Sequence, residues 1–301
     1  MKELRLYINR GIFDSVSQGR HKQIKNLINA FESNGLDVIL EENSPSARKA
    51  APQLQALCLF QGASPIAANC LHFSRAHVSP FWRIEKSWQP ARFAISGKRF
   101  EPADVDDEGA KWFFRYWRKR LVEEQAGSRV PGGYVLVLLQ RNLDTVHPGQ
   151  EISSFDMVHE VLKQDAFRPV IIRFEASAKP TPRDLALAEE LDLEPRVTFS
   201  TAPVDFDFAG SDYVVAHGSD AAFRAILHKK PSILYEKADF HHINQSVPDL
   251  GADLAFRNVL SYRRPWHLYF TWFLRDNAIN LGRADNSGQI MDHVRSLGWE
   301  V

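Results

Sequence analysis

"DYVVAHGSDAAFRAILHKKPSILYE", residues 212–236, decides the fold class. An apolar run ends at Ala216, Gly218 allows a tight turn, and Ser219 suits the N-cap of a helix. Ala221, Ala222, Ala225 and Ile226 give that helix a small apolar inner face, and Pro231 introduces a second apolar run, "SILYE". Strand, helix and strand in one short span form a βαβ unit, which demands a parallel sheet covered by helices.

The same rhythm runs outward in both directions. Ahead of the stretch lie the strand candidates "YVLVLLQ", "PVIIRF" and "RVTFS", with helical patterns in "SSFDMVHEVLKQ" and "PRDLALAEEL" between them. Nearer the N-terminus, "ELRLYIN", "LDVILEE" and "ALCLF" read as strands. "HKQIKNLINAFESNG" places Ile24, Leu27, Ile28 and Phe31 at helical spacing and stops at Gly35. "AGSRVPGG", 126–133, is the expected linker between the halves. The expectation is two Rossmann-like α/β domains facing a cleft. Residues 1–128 form the first, 129–259 the second, and 260–301 form aromatic-rich helices crossing back onto the first.

Composition narrows the function. The 301 residues are 44% hydrophobic and 25% charged, with 37 Lys plus Arg against 37 Asp plus Glu. A formal net charge of zero disfavours bulk nucleic-acid binding. The sequence has no apolar run of membrane-spanning length and no signal-peptide core at "MKELRLYINRG", so a cytoplasmic protein is expected. Cys58 and Cys70 are not in CxxC spacing and read as reduced structural thiols. His241 and His242 are adjacent, not at metal-ligand spacing, and no HExxH, Walker loop, GxGxxG or GxSxG motif occurs. The helix "DEGAKWFFRYWRKRLVEEQ" puts Phe113, Tyr116, Trp117 and Leu121 on one face. It reads as a long helix packing that face inward, the alternative being a basic aromatic helix for a membrane surface.

Candidate site residues follow from strand ends, because ligands of open parallel sheets bind beyond the carboxyl ends of the strands. The Gly218–Ser219 turn suits a phosphate, with a plain capped turn as the alternative. Gln140 and Asp144 follow the first strand of the second half, and Arg173 ends the next. A carboxylate in that position could be a nucleophile or a base, although an Asp in a turn is also an ordinary Asx cap. Glu85 lies inside the aromatic run "SPFWRIEKSWQPARFAISGKRF", 79–100, where an unpaired buried charge would be costly.

Three pieces taken in order resemble capsular polysaccharide biosynthesis proteins, a family that includes retaining β-Kdo transferases of GT-B-like fold. "RIEKSWQPARFAISGKRF" resembles their "E-x-G-[FY]-x-R-P" segment with the strand after it, and "VLVLLQRNLDTVH" resembles "vLv-x-Q-x-x-x-D". "VVAHGSDAAFRAILHKKPSILYE" resembles "nStvGxEALlxGkPV". The likeness spans roughly 80–275 and includes "RRPWHLYFTWFLRDN". It implies transfer of a sugar, with Kdo the leading candidate, from a CMP-sugar donor to a glycan or glycolipid acceptor, with no cofactor and no metal. Glu85 would act on the acceptor hydroxyl or hold the reacting sugar, and Asp144 would be the nucleophile, the two facing one another across the cleft. Ser219 would meet the nucleotide phosphate, with Gln140, Arg173, Gly218 and Lys230 completing the nucleotide site. Peripheral association with the inner face of the cytoplasmic membrane fits such an acceptor.

The sequence departs from the pattern at named points. Phe174 and Glu175 stand where the family often has a lysine-proline-histidine-proline segment, Ser87 and Gln89 replace a glycine and an arginine, and Arg224 replaces the "GxEA" glutamate. These changes keep open a non-catalytic subunit that binds glycan, nucleotide or a partner enzyme, and a transferase using a uridine donor.

Overall fold

A computed structural model describes residues 2–122, 132–175, 179–261 and 263–301. The expected linker therefore lies outside the described residues, apart from Gly132 and Gly133. The strands are β1 (Lys2–Ile8), β2 (Leu36–Glu42), β3 (Leu57–Gln61), β4 (Cys70–Arg75), β5 (Phe81–Glu85) and β6 (Tyr134–Leu139). They continue as β7 (Val170–Phe174), β8 (Val197–Phe199), β9 (Ser211–Ala216), β10 (Ser232–Leu234), β11 (Gln245–Ser246) and β12 (Ile279–Asn280). These strands make two separate six-stranded sheets, one in each of two Rossmann-like α/β units.

The first unit is Met1–Lys98 with Trp272–Val301, and the second is Arg99–Thr271. The division falls at Lys98/Arg99, upstream of the expected boundary after residue 128. Helix Asp107–Leu121 therefore belongs to the second unit: it packs on the helix Trp266–Thr271 of that unit, through Phe113 and Phe114 against Phe270. The chain returns to the first unit at Trp272, where a five-residue π-helical turn begins.

In the first unit the order is β12-β5-β4-β3-β1-β2. Strands β1 to β4 run parallel, while β5 is antiparallel to both β4 and β12. One face packs on helix Lys22–Glu32 through Ile24, Leu27 and Phe31, and on helix Ser287–Ser296 through Ile290, Met291 and Val294. The other face carries Tyr7, Cys58, Phe60 and Cys70, with Cys58 and Cys70 directly opposed as buried free thiols. The segment after Glu85 is not a strand. Pro90–Arg92 and Ala94–Gly97 form short 3₁₀ turns, since Pro90 fixes φ and lacks the N–H that a ladder requires.

In the second unit the order is β11-β10-β9-β6-β7-β8, all parallel. Every residue of β6 is buried, as a central strand covered on both faces requires. Helix Ser154–Gln164 lays Met157, Val158 and Val161 on this core. Among the described residues, no helix is long and apolar enough to cross a membrane.

Candidate functional site

Strand order locates a crevice in each unit. In the second, β6 leads to β7 and β8 on one side, and the chain then returns to β9, β10 and β11 on the other. The β6/β9 boundary is thus a topological switch point, where neighbouring loops diverge and leave room for a ligand. In the first unit the corresponding point lies between β1 and β3.

The two crevices differ in how fully their polar groups are satisfied. In the first unit, the Asn9 amide N–H donates to Gln61 Oε1 at 3.0 Å, and Asn43 Nδ2 donates to Asn9 Oδ1 at 3.0 Å and to Gln61 O at 2.6 Å. Arg48 Nε closes the cluster on Asn43 Oδ1 at 2.8 Å. These side chains are occupied by one another.

The second crevice is not closed in this way. Directly after β6, β7, β9 and the apolar run through β10 stand Gln140, Glu175, His217 and Glu236. Gln140 Oε1 accepts from Gln150 Nε2 at 2.9 Å, and Gly218 N–H donates to Glu236 Oε2 at 3.4 Å. Glu175 Oε1 is buried without a partner among the described residues. Burial lifts its carboxyl to about 7, against a hydrogen bond with Ser219 and with help from Asp220 and Glu236. Burial also raises Glu236, while Gly218 N–H, Gln150 and His147 pull the other way. His217 is fully buried, and neither ring nitrogen meets strict hydrogen-bond geometry. Burial, reinforced by His147 and opposed by the Tyr235 backbone, pushes it down to about 4. Buried polar groups are normally paired, so the unpartnered Glu175 oxygen and the buried His217 imidazole, each directly after a strand beside the switch point, make this crevice the candidate ligand site.

The expected site residues take different positions in this picture. Ser219 Oγ caps the helix Asp220–Arg224 by accepting from Ala222 N–H at 3.2 Å, and that helix is only five residues long. Gly218 is required sterically, since an added Cβ would lie 2.9 Å from Ala238 Cβ. Gly218→Ala is expected to destabilise the second unit by about 1–3 kcal/mol through this overpacking, read as a lower urea midpoint with an unchanged slope.

Asp144 lies in the loop after β6, whose Leu143 N–H donates to buried Asp184 Oδ1 at 2.7 Å. Although burial opposes it, the amides of Thr181 and Leu143 hold the Asp184 carboxyl below its usual range. The Asp144 carboxylate itself is exposed and pairs with Arg183 Nε at 3.1 Å.

Arg173 and Lys230 are engaged within the fold. Arg173 pairs with buried Asp207 and donates to Ala202 O at 2.6 Å, and Lys230 Nζ donates to Ala209 O at 2.9 Å and Ser211 O at 2.6 Å. Both head groups are thus held by partners within the second unit. Arg224 is likewise held by Asp205, at 2.8 and 2.7 Å, with His228 on the same carboxylate and the Leu121 carbonyl accepting from Nη2.

In the first unit, Glu85 is 4% exposed and sits opposite His72 in the β4–β5 register. Its Oε2 accepts from Ala94 N–H at 3.0 Å, so the 3₁₀ turn answers part of the cost of burying this carboxylate. It lines a cavity of ≈ 140 Å³ with Arg83, Lys98, Asp276, Asn277 and His293. Among the described residues, no group of three or more His, Cys, Asp or Glu is arranged to hold a metal.

Sequence reasoning did not pick out His217, Glu236 or His147 as candidates, and it named Glu175 only as a departure from the family pattern. A usable signal existed: three of these four follow directly on an apolar run, at a strand's carboxyl end.

No family model matches the chain, and no curated protein matches it in sequence. Solved structures do. A β-Kdo 2,7-transferase, KpsC of Thermosulfurimonas dismutans, superposes with a TM-score of 0.56 at 10% identity, over 97% of this chain and 100% of that one. A β-Kdo 2,4-transferase of the same organism's KpsC gives 0.48 at 11% identity, over 89% and 88%. An S. aureus MnaA–UDP co-structure gives 0.39 at 12% identity, over 98% and 96%. The first of these likenesses establishes the shared fold. The chain has a GT-B-like architecture.

Proposed function

We propose that this chain is a glycosyltransferase of bacterial surface-polysaccharide assembly that takes a nucleotide sugar, with CMP-Kdo as the donor tested first. The observation that carries the reading is the Glu175 carboxyl, one oxygen of which is buried without a partner among the described residues, beside Ser219 and Glu236 at strand ends next to the β6/β9 switch point. The fold shared with a β-Kdo transferase gives the donor class its support. In this reading the donor occupies the second unit's crevice, with phosphate at the Gly218–Ser219 turn and Gln140 beside it. Asp144 is the nucleophile. Glu85, in its cavity in the first unit, acts on the acceptor.

The electrostatics add a condition on donor binding. Glu236 already accepts from the Gly218 amide that a phosphate would use, and Glu175 and Asp220 stand close by. An incoming phosphate is repelled unless these carboxyls are protonated or turn aside. Since the Glu175 carboxyl titrates at about 7, donor affinity is expected to strengthen as pH falls through that value.

The test is a thermal-shift panel of CMP, UMP, UDP and CMP-Kdo in EDTA, on wild type and Ser219→Trp. Ligand at about a hundred times Kd stabilises the native state by about 2.7 kcal/mol. The cytidine ligands are expected to raise Tm in wild type and to lose most of that rise in Ser219→Trp. An equal rise in both proteins, or none without magnesium, rejects the site, and a response to uridine nucleotides alone rejects the donor.

A further inference from the structure

Helix Asp107–Leu121 presents two unlike faces. The inner face buries Ala110, Phe113 and Phe114, the latter two on Phe270 with ring centroids 5.9 and 5.5 Å away. The outer face leaves Trp112 61% and Tyr116 40% exposed, with their rings stacked at 5.3 Å. The sequence expectation of one inward aromatic face fails at Tyr116, because the contact with Phe270 rotates the helix towards Phe113 and Phe114.

Cations surround the exposed rings. Arg115, Lys119 and Arg120 are exposed on the same helix, and Arg120 lies 5.3 Å from the Tyr116 ring while donating to its hydroxyl at 3.2 Å. Beside them is a recess of ≈ 450 Å³ lined by Phe114, Arg115, Arg118, Lys119, Val122 and Lys229, four cations with no acid among these lining residues. The acids of this helix, Asp107 and Glu108, lie in its first turn, where Lys111 pairs with them at 2.6 and 2.8 Å. Arg118, Lys119 and Arg120 thus place three cations in the last turn of this helix.

We infer that this face docks on an anionic phospholipid bilayer. The charge complements lipid phosphates, and the long Arg and Lys side chains can reach the headgroups while their stems lie on apolar surface. The exposed aromatic pair decides between partners. A soluble polyanion needs only the cations, whereas a bilayer interface favours Trp and Tyr rings placed at headgroup depth. This inference stands apart from the proposed chemistry, since none of these residues belongs to the β6/β9 crevice.

The test is co-sedimentation of the full chain with phosphatidylcholine vesicles, with and without phosphatidylglycerol. It is run on wild type, Arg115→Glu/Lys119→Glu and Trp112→Ser/Tyr116→Ser, with melting temperature and circular dichroism verifying that each is folded. Wild type is expected to bind the anionic vesicles at least about tenfold better than the neutral ones, and to be released by salt. Both double variants are expected to lose about tenfold or more on anionic vesicles. The aromatic variant alone should still bind dextran sulfate as wild type does. Failure of wild type to sediment, equal binding to neutral vesicles, or full vesicle binding by the aromatic variant overturns the inference. So does a wild-type dimer in sedimentation velocity that the aromatic variant abolishes, because the face would then be a contact between two copies of the chain.

Discussion

Acidification from pH 6.5 to about 4 is expected to cost the native chain several kcal/mol, chiefly through His72 and His217. Burial pushes both from an ordinary 6.5 down to about 4. His72 keeps one ring nitrogen on the Gly62 carbonyl and buries the other, Nε2, without a partner among the described residues. The unfolded chain protonates these rings at 6.5 while the folded chain holds them neutral. Their stabilisation is therefore complete above 6.5 and is lost as pH falls through about 4, at roughly 3 kcal/mol each. Glu175 works in the opposite direction. Its folded carboxyl stays protonated to about 7 against an ordinary 4.5, so its contribution is complete below 4.5 and is lost as pH rises through about 7. Being partly exposed, it offsets less than the two histidines remove. Urea denaturation across this range should show a net fall of roughly 3 kcal/mol or more towards acid. His217→Gln should flatten the curve, and Glu175→Gln should steepen it. A flat wild-type curve, unchanged by either substitution, would contradict the burial account of both sites.

Apolar runs made the two sheets readable, because strands covered on both faces must be apolar throughout. "YVLVLL" and "DYVVA" became β6 and β9 for that reason. The switch point was legible only in part, since strand ends can be read from sequence whereas the order β9-β6-β7 depends on pairings between distant segments. The inward rotation of helix Asp107–Leu121 depends on Phe270, over 150 positions away, which no local periodicity can register. Arg173, Lys230 and Arg224 show the limit for charged residues. Their types suit a phosphate, but their heads meet Asp207, backbone carbonyls and Asp205, partners that only the tertiary structure brings near. Glu175, His217 and Glu236 carry no periodic signature, and each is a candidate only through its place at the end of a largely buried run.

Asp144→Asn is expected to lower sugar transfer by at least about 10³-fold, near the upper range for loss of a group acting directly on the reacting centre. In the proposed double displacement, the Asp144 carboxylate attacks the anomeric carbon, and the nucleotide leaves with the bonding electron pair. The acceptor oxygen then displaces the enzyme carboxylate and gives up its proton to a base. An amide at 144 keeps the volume but cannot form the glycosyl ester. The fold should scarcely notice the change. Asp144 and Arg183 are 46% and 66% exposed, and an ion pair of that kind contributes at most about 1 kcal/mol. The loop is fixed independently by Leu143 N–H on Asp184, so residue 144 keeps its place without the ion pair. Arg183→Met separates the two roles of the carboxylate. If Asp144 only pairs with Arg183, the two variants should behave alike and remain active. If it is the nucleophile, only Asp144→Asn loses transfer, while both keep the nucleotide-induced rise in Tm and a urea midpoint near wild type. The measurement is turnover of CMP-Kdo, or another CMP-sugar, with a glycan acceptor by wild type and both variants. Wild-type turnover in Asp144→Asn would remove the covalent step from the proposal and leave Glu175, the nearly unpaired carboxyl at the end of β7, as the group to test next.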